Sequence, residues 1–298
     1  MDNAQLTAVR SAPGFFAALD QSGGSTPKAL AEYGVGADRY ATDEEMFDLV
    51  HAMRTRVVTS PAFDGTRVIA AILFEQTMNR TVAGLPAGRY LWEGKQIVPF
   101  LKVDKGLAEA AHGVRLMKPI DALDDLLAQA NEHRMFGTKM RSVIDDADPE
   151  GVKAIADQQF EFAARIAAAG LVPIVEPEVS ITSPRKAEAE ELLLDSLRRH
   201  VAALPADAAV MLKLTIPTRP GLYAELAADP RVLRVLALSG GYPRDEACEL
   251  LARDHAMIAS FSRALLDGLR DEQTDEEFNA RLDASIGQIY TASTVKQP

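Results

Sequence analysis

The sequence predicts an α/β fold: a single (β/α)8 barrel with a parallel eight-stranded sheet and its active site at the C-terminal ends of the strands. Three observations predict it. Short, near-continuous apolar runs recur eight times, as expected of strands buried on both faces of a parallel sheet. Amphipathic segments of helical period lie between them. Charged residues stand at the strand ends, where barrel enzymes gather their sites. An open doubly wound sheet is the alternative with the same rhythm.

In chain order, the strands are read at 14–20 (GFFAALD), 67–74 (RVIAAILF), 97–104 (IVPFLKVD) and 137–144 (GTKMRSVI). They continue at 171–178 (LVPIVEPE), 210–216 (VMLKLTI), 233–239 (LRVLALS) and 256–262 (AMIASFS). TDEE at 42–45 is a capping box that opens a helix. DADPEG starts another with acidic residues and Pro149, and Gly170 ends it. SPRKAEAEELLLDSLRRH predicts a helix with Thr182 or Ser183 as N-cap and Pro184 in the first turn. PRDEACELLARDH gives a helix after the seventh strand, and a final pair is read near 263–270 and 274–291. No linker, low-complexity tract or tandem repeat interrupts this rhythm, so residues 1–298 are read as one domain.

The composition, 47% apolar and 25% charged over 298 residues, is that of a globular protein with a sizeable core. A net charge of −11 argues against a nucleic-acid partner, because such proteins need a basic surface to displace counterions. The single cysteine, Cys248, excludes an internal disulfide framework and reads as a small helix residue. No signal peptide is expected from MDNAQLTAVRSAPGFF. No apolar run is long enough to span a membrane. A cytoplasmic protein is the default expectation, with the oligomeric state left open.

Residues two apart on a strand share a face, and the charges recur with that spacing. Lys102 and Asp104 close the third strand, Lys139 and Arg141 sit on the fourth, and Glu176 and Glu178 close the fifth. Lys213 and Thr215 close the sixth, Asp20 ends the first, and Arg263 follows the eighth. One such residue is ordinarily a solvated rim group. Charges converging from six strands into a barrel mouth need one another as partners. A lysine beside other cations, on an apolar strand, has its ammonium form disfavoured. Its neutral form attacks carbonyl carbon and gives a Schiff base, and carboxylates move the protons that route requires. Glu176 and Glu178 are therefore read as proton-handling groups beside Lys213.

Ser239, Gly240 and Gly241 follow the seventh strand, and Arg263 follows the eighth. That is the position where barrels bind phosphate through backbone N–H groups, so these four form a candidate phosphate clamp. The five histidines (His51, His112, His133, His200 and His255) fall in helices or connections without metal-ligand spacing. A metal-dependent carbon–carbon lyase is disfavoured on that ground.

The ordered set GFFAALDQSGGSTPKAL, FLKVDKG, GTKMRSV, LVPIVEPEV, MLKLTIP, LSGG and ASFSRAL resembles class I fructose-bisphosphate aldolase, in its short bacterial branch. The resemblance runs from about residue 14 to 270. It implies a TIM-type barrel that cleaves fructose 1,6-bisphosphate to dihydroxyacetone phosphate and glyceraldehyde 3-phosphate with no cofactor. By the same resemblance, Lys213 is the Schiff-base lysine and Glu176 the acid/base of carbinolamine formation and dehydration. Glu178, Lys102 and Lys139 match the polar residues around that lysine, Asp20 the group acting on the C4 hydroxyl, and Arg141 a cleft position. Ser239, Gly240 and Arg263 match one phosphate site; Ser25 and Lys28 match residues near the other.

There are three departures. Ala29 replaces a phosphate-contacting arginine of the animal enzymes, and Met140 replaces a tryptophan between two kept charges. In place of the terminal tyrosine of the animal tail stands IYTASTVKQP. There, Tyr290 is either a substitute or a helix-packing residue. Two other readings fit the same residues: a Schiff-base aldolase or transaldolase for another sugar phosphate, and a barrel kept as a binding scaffold.

Overall fold

The computed structural model describes residues 2–297. Its barrel strands are β1 (Phe15–Leu19), β2 (Val68–Leu73), β3 (Val98–Lys102), β4 (Gly137–Ile144), β5 (Val172–Val179), β6 (Val210–Thr215), β7 (Val232–Leu238) and β8 (Ile258–Phe261). Each pairs in parallel with the next, and β8 pairs with β1, so the sheet closes on itself. Closure excludes the open doubly wound alternative. All eight strands lie within the predicted runs or one residue beyond them.

The strand pleat divides the core in two. Phe16, Ala18, Ala70, Ile72, Phe100, Ile174, Met211 and Leu236 point into the barrel, while Ala17, Leu101, Met140, Val175 and Leu214 face the surrounding helices. This is why the strands read as continuous rather than alternating apolar runs: both faces are covered.

The helices begin and end largely where their signals stand. Helix α1 (Asn3–Ser11) precedes β1, and α2 (Thr26–Glu32) follows it. Helix α3 (Asp43–Thr59) opens on the Thr42–Glu45 capping box. Helix α4 is Leu123–Glu132. Helix α5 (Pro149–Ala168) has Asp148 as N-cap and stops before Gly170, which takes a φ of +83°. Helix α6 (Lys186–Ala203) corrects the prediction: neither Thr182 nor Ser183 caps it, and Pro184 precedes it. Arg185 makes a two-pronged contact with Asp146, at 2.9 and 3.0 Å, and the Ser180 hydroxyl engages Thr182. The turn is thus held in a non-helical form up to Arg185. Helix α7 (Arg244–Ala252) carries the buried Cys248, whose thiol is pushed up to about 11 by burial. Helices α8 (Arg263–Leu266) and α9 (Asp275–Thr294) complete the chain.

Helix α1 lies outside the predicted rhythm. It covers the amino-terminal end of the barrel, where Val9 joins the inner core. Arg234 of β7 donates from Nε to Val9 O and from Nη2 to Ala12 O, both at 3.0 Å, and ties the end of α1 down. With that end closed, the site must open at the other. Among the described residues no helix is long and apolar enough to cross a membrane.

Candidate active site

Parallel register sets the height of each inward side chain. Lys102 of β3 is level with Lys139 of β4, and Arg141 of β4 with Glu176 of β5. Lys213 of β6 is level with Leu236 of β7. The inner faces of β3, β4, β5 and β6 therefore change from apolar to charged at their carboxyl ends, as the i, i+2 spacing predicts.

Four of these charges form one buried chain of alternating sign. Asp20 Oδ2 lies 2.5 Å from Lys139 Nζ, and that ammonium lies 2.9 Å from Glu176 Oε2. Glu176 Oε1 lies 2.9 Å from Lys213 Nζ. A second group begins with Lys102 Nζ, 2.6 Å from Asp104 Oδ1. Asp104 Oδ2 accepts from the Arg141 backbone N–H at 3.2 Å, and Arg141 Nε donates to Glu178 at 2.6 Å. Glu178 is thus the partner of Arg141, and Glu176 alone of the two glutamates ion-pairs with Lys213.

Removing charges from water is costly unless partners compensate, and the directions of titration show the compensation. Burial by itself would raise Asp20 and Glu176, but Lys139 and Lys213 outweigh it and hold both carboxyls below their ordinary range. Burial would lower Lys139, yet Asp20 and Glu176 hold it well above a free lysine. Burial would likewise lower Arg141, yet Glu178 holds it up. Lys102 goes the other way: desolvation lowers it more than Asp104 restores it. The Glu176–Lys139 contact is close without being directional. Among the described residues Oε2 accepts no hydrogen bond of good geometry.

Residues the strand-end reading passed over hold this network in place. Gln159 of α5 accepts the Glu176 backbone N–H at 2.8 Å and donates to the Ser142 hydroxyl. Arg54 of α3 is 1% exposed. Its guanidinium donates to Thr77 Oγ1 at 2.8 Å and to the backbone carbonyl of Gln21, next to Asp20. Desolvation lowers Arg54 to about 10. Gln21 Nε2 in turn donates to Ser262 Oγ at 2.7 Å and links the ends of β1 and β8. Gln159 and Arg54 both interrupt apolar stripes, between Ile155 and Ala163 and between Val50 and Val57. A polar residue on such a stripe was the available signal.

A cavity of about 870 Å³ opens over these groups. Asp20, Lys102, Lys139, Glu176 and Lys213 line its floor, with Arg141 and Glu178 beside them. Ser239, Gly240, Gly241 and Arg263 line one part of its wall. Gly240 and Gly241 adopt φ of +62° and +117°, which L-residues avoid. A Cβ on Gly241 would stand 3.5 Å from Arg263 Nη2, so the guanidinium lies over the glycine turn. Ser25, Lys28 and Ala29 line the cavity as well; Lys28 is largely exposed, 3.9 Å from Glu32. All thirteen predicted site residues thus meet around one cavity. None of the histidines lines it, and neither does Tyr290, which packs half-buried against the outer core.

Fold and site together define a (β/α)8 enzyme built on a lysine–carboxylate centre. The family model for class-I fructose-bisphosphate aldolase matches residues 7–216. A class 1 fructose-bisphosphate aldolase of Synechocystis is 58% identical over 97% of this chain and 96% of its own length. That of Porphyromonas gingivalis is 54% identical over 98% of this chain and 99% of its own. The chain belongs to the class-I fructose-bisphosphate aldolase family. Among solved structures, the Plasmodium falciparum fructose-bisphosphate aldolase superposes with a TM-score of 0.77 at 21% identity, covering 99% of this chain and 94% of its own, a likeness of fold.

Proposed function

We propose that this barrel cleaves fructose 1,6-bisphosphate reversibly to dihydroxyacetone phosphate and glyceraldehyde 3-phosphate, with Lys213 as the nucleophile. One observation carries the assignment: of the two lysines 2.9 Å from Glu176 on the floor of the cavity that the candidate phosphate groups also line, Lys139 is held between two carboxylates while, among the described residues, Lys213 ion-pairs with Glu176 alone. The neutral Lys213 amine adds to the C2 carbonyl, and Glu176 shuttles the protons that form the carbinolamine and expel its hydroxyl as water. In the resulting iminium, Asp20 takes the proton of the C4 hydroxyl. The C3–C4 bond breaks, and its electron pair passes into the iminium to give the enamine, releasing glyceraldehyde 3-phosphate. Protonation of the enamine at C3 and hydrolysis of the imine return Lys213.

Lys139, kept charged by two carboxylates, holds Asp20 and Glu176 ionised between their proton transfers. Lys102 and Glu178 complete the polar floor, and Arg141 anchors Glu178. Ser239, Gly240, Gly241 and Arg263 take one phosphate, while Ser25 and Lys28 stand at the other. Binding both ends sets the reacting bond in place by remote binding energy. A cytoplasmic sugar-phosphate enzyme without a nucleic-acid partner fits the net charge of −11.

The test is borohydride reduction of the protein mixed with dihydroxyacetone phosphate in EDTA, followed by peptide mass mapping. A stable adduct on Lys213 is expected. An adduct on Lys139 or Lys102 would move the nucleophile, and none on folded protein would sink the mechanism.

A further inference from the structure

Of the four buried charges in the chain Asp20–Lys139–Glu176–Lys213, three sit inside strand ladders. Lys139 is level with Ile174, Glu176 with Arg141 and Lys213 with Leu236. Asp20 is the exception. The ladder from β1 to β2 ends at Leu19, and that from β1 to β8 ends at Ala17. Asp20 thus stands one residue past the last pair, where no neighbouring strand fixes its backbone. Side chains hold the turn instead. The Arg54 guanidinium donates to the backbone carbonyl of Gln21, the next residue, and Gln21 Nε2 donates to Ser262 Oγ at 2.7 Å.

Arg54 is a costly residue for that place. It is 1% exposed, and among the described residues it forms no ion pair and its Nε has no hydrogen-bond partner. A buried charge without a carboxylate in contact is unfavourable, and a methionine would fill the same apolar stripe of α3 without that penalty. The guanidinium works as a fork. Nη1 donates to Thr77 Oγ1 at 2.8 Å, on the segment after β2, while Nη2 clasps the turn after β1. Arg54 does not line the active-site cavity, although its neighbour Met53 does. It therefore acts through Gln21 and not on a bound molecule. Burial lowers the Arg54 guanidinium and the Asp20 carboxylate raises it, so the two charges interact.

We infer that Arg54 is a positioning residue for carbon–carbon cleavage, holding the strand-end turn so that the Asp20 carboxylate stays within reach of the C4 hydroxyl. The inference rests on the proposed aldolase reading and adds a residue to it. In that reading Asp20 takes the proton of the C4 hydroxyl, and dihydroxyacetone phosphate, with three carbons, has no C4. Loss of the Arg54 fork therefore slows cleavage of the six-carbon substrate and spares imine formation with the three-carbon ketone. A merely structural role would weaken both alike.

The experiment compares wild type with Arg54→Met and Arg54→Lys. It measures kcat and KM on fructose 1,6-bisphosphate, the dihydroxyacetone phosphate concentration giving half-maximal borohydride trapping, and Tm. In Arg54→Met, kcat should fall about 10²-fold, as for a misplacement of about 1 Å, with KM and the half-trapping concentration within about twofold of wild type. Arg54→Lys keeps a donor for only one of the two acceptors, so its kcat should lie between those of wild type and Arg54→Met. Wild-type kcat in folded Arg54→Met would overturn the inference, and so would equal losses of turnover and trapping. If Arg54→Met does not fold, Arg54→Lys decides. Lowered kcat with unchanged trapping supports the inference; wild-type kcat, or a matching loss of trapping, overturns it. Wild type run in parallel separates the two levels. If it forms no adduct the aldolase reading fails; if it forms one and the variants keep its kcat, Arg54 alone is misassigned.

Discussion

Glu176 serves two buried cations with one carboxylate, Lys213 on Oε1 and Lys139 on Oε2. Glu176→Gln leaves Lys213 without its ion-pair partner and takes away the proposed proton shuttle. Breaking a buried pair by removing one member costs about 3–5 kcal/mol, and loss of a general acid/base lowers kcat about 10²–10⁴-fold. Urea denaturation and steady-state turnover should show both losses; wild-type kcat in the variant would remove Glu176 from the proton pathway. Asp20 gives a pH signature. Its carboxyl is held below the ordinary range in the folded protein. Its stabilising contribution is therefore complete above the unfolded carboxyl pKa of about 4 and is lost as pH falls toward the folded value. Tm of wild type should drop as pH goes below about 4, and Asp20→Asn should show a shallower slope. Equal slopes would mean that this carboxyl is not coupled to the lysines.

At the scale of elements, close approach and capping decide where strands and helices can lie. Gly137 opens β4 where a Cβ would stand 2.2 Å from Val172 O and 2.6 Å from the Phe100 ring. Gly137→Ala must push β4 from β5, the strands that carry Lys139 and Glu176. Overpacking of this kind costs about 1–3 kcal/mol, and kcat should fall with the urea midpoint. Thr274 caps α9 reciprocally with Glu277. Thr274→Ala should cost about 1 kcal/mol and leave kcat alone, since α9 packs outside the barrel. Together the two variants separate a helix that supports the scaffold from a strand that sets the site.

For the whole molecule, closure is the governing fact. The β8–β1 pairing joins the two ends of the sheet, and α1 seals one mouth through Arg234. Arg234→Ala removes two hydrogen bonds from a charged donor to otherwise open carbonyls of the α1 end, a loss of about 1.5–3 kcal/mol. It should lower the urea midpoint without altering Lys213 trapping, because the seal lies at the end opposite the cavity. We propose that residues 1–298 act as one domain, which predicts a single unfolding transition, coincident by fluorescence and circular dichroism. Two separated transitions would divide the chain.

The sequence by itself determined the barrel rhythm, the i, i+2 charge pairs at the strand ends and the glycine turn after the seventh strand. Each is a local pattern of period, propensity or backbone freedom, so it is written in neighbouring residues. It could not say which carboxylate meets which lysine. Glu176 and Glu178 are equivalent by spacing, and only the stagger between β4, β5 and β6 gives one to Lys213 and the other to Arg141. Arg54, Gln159 and Gln21 stayed hidden for the same reason. Their partners lie on other elements, and such relations exist only once the sheet has closed. Helix α1 belongs with them, because its place is set by the open end of a barrel that its own residues do not build.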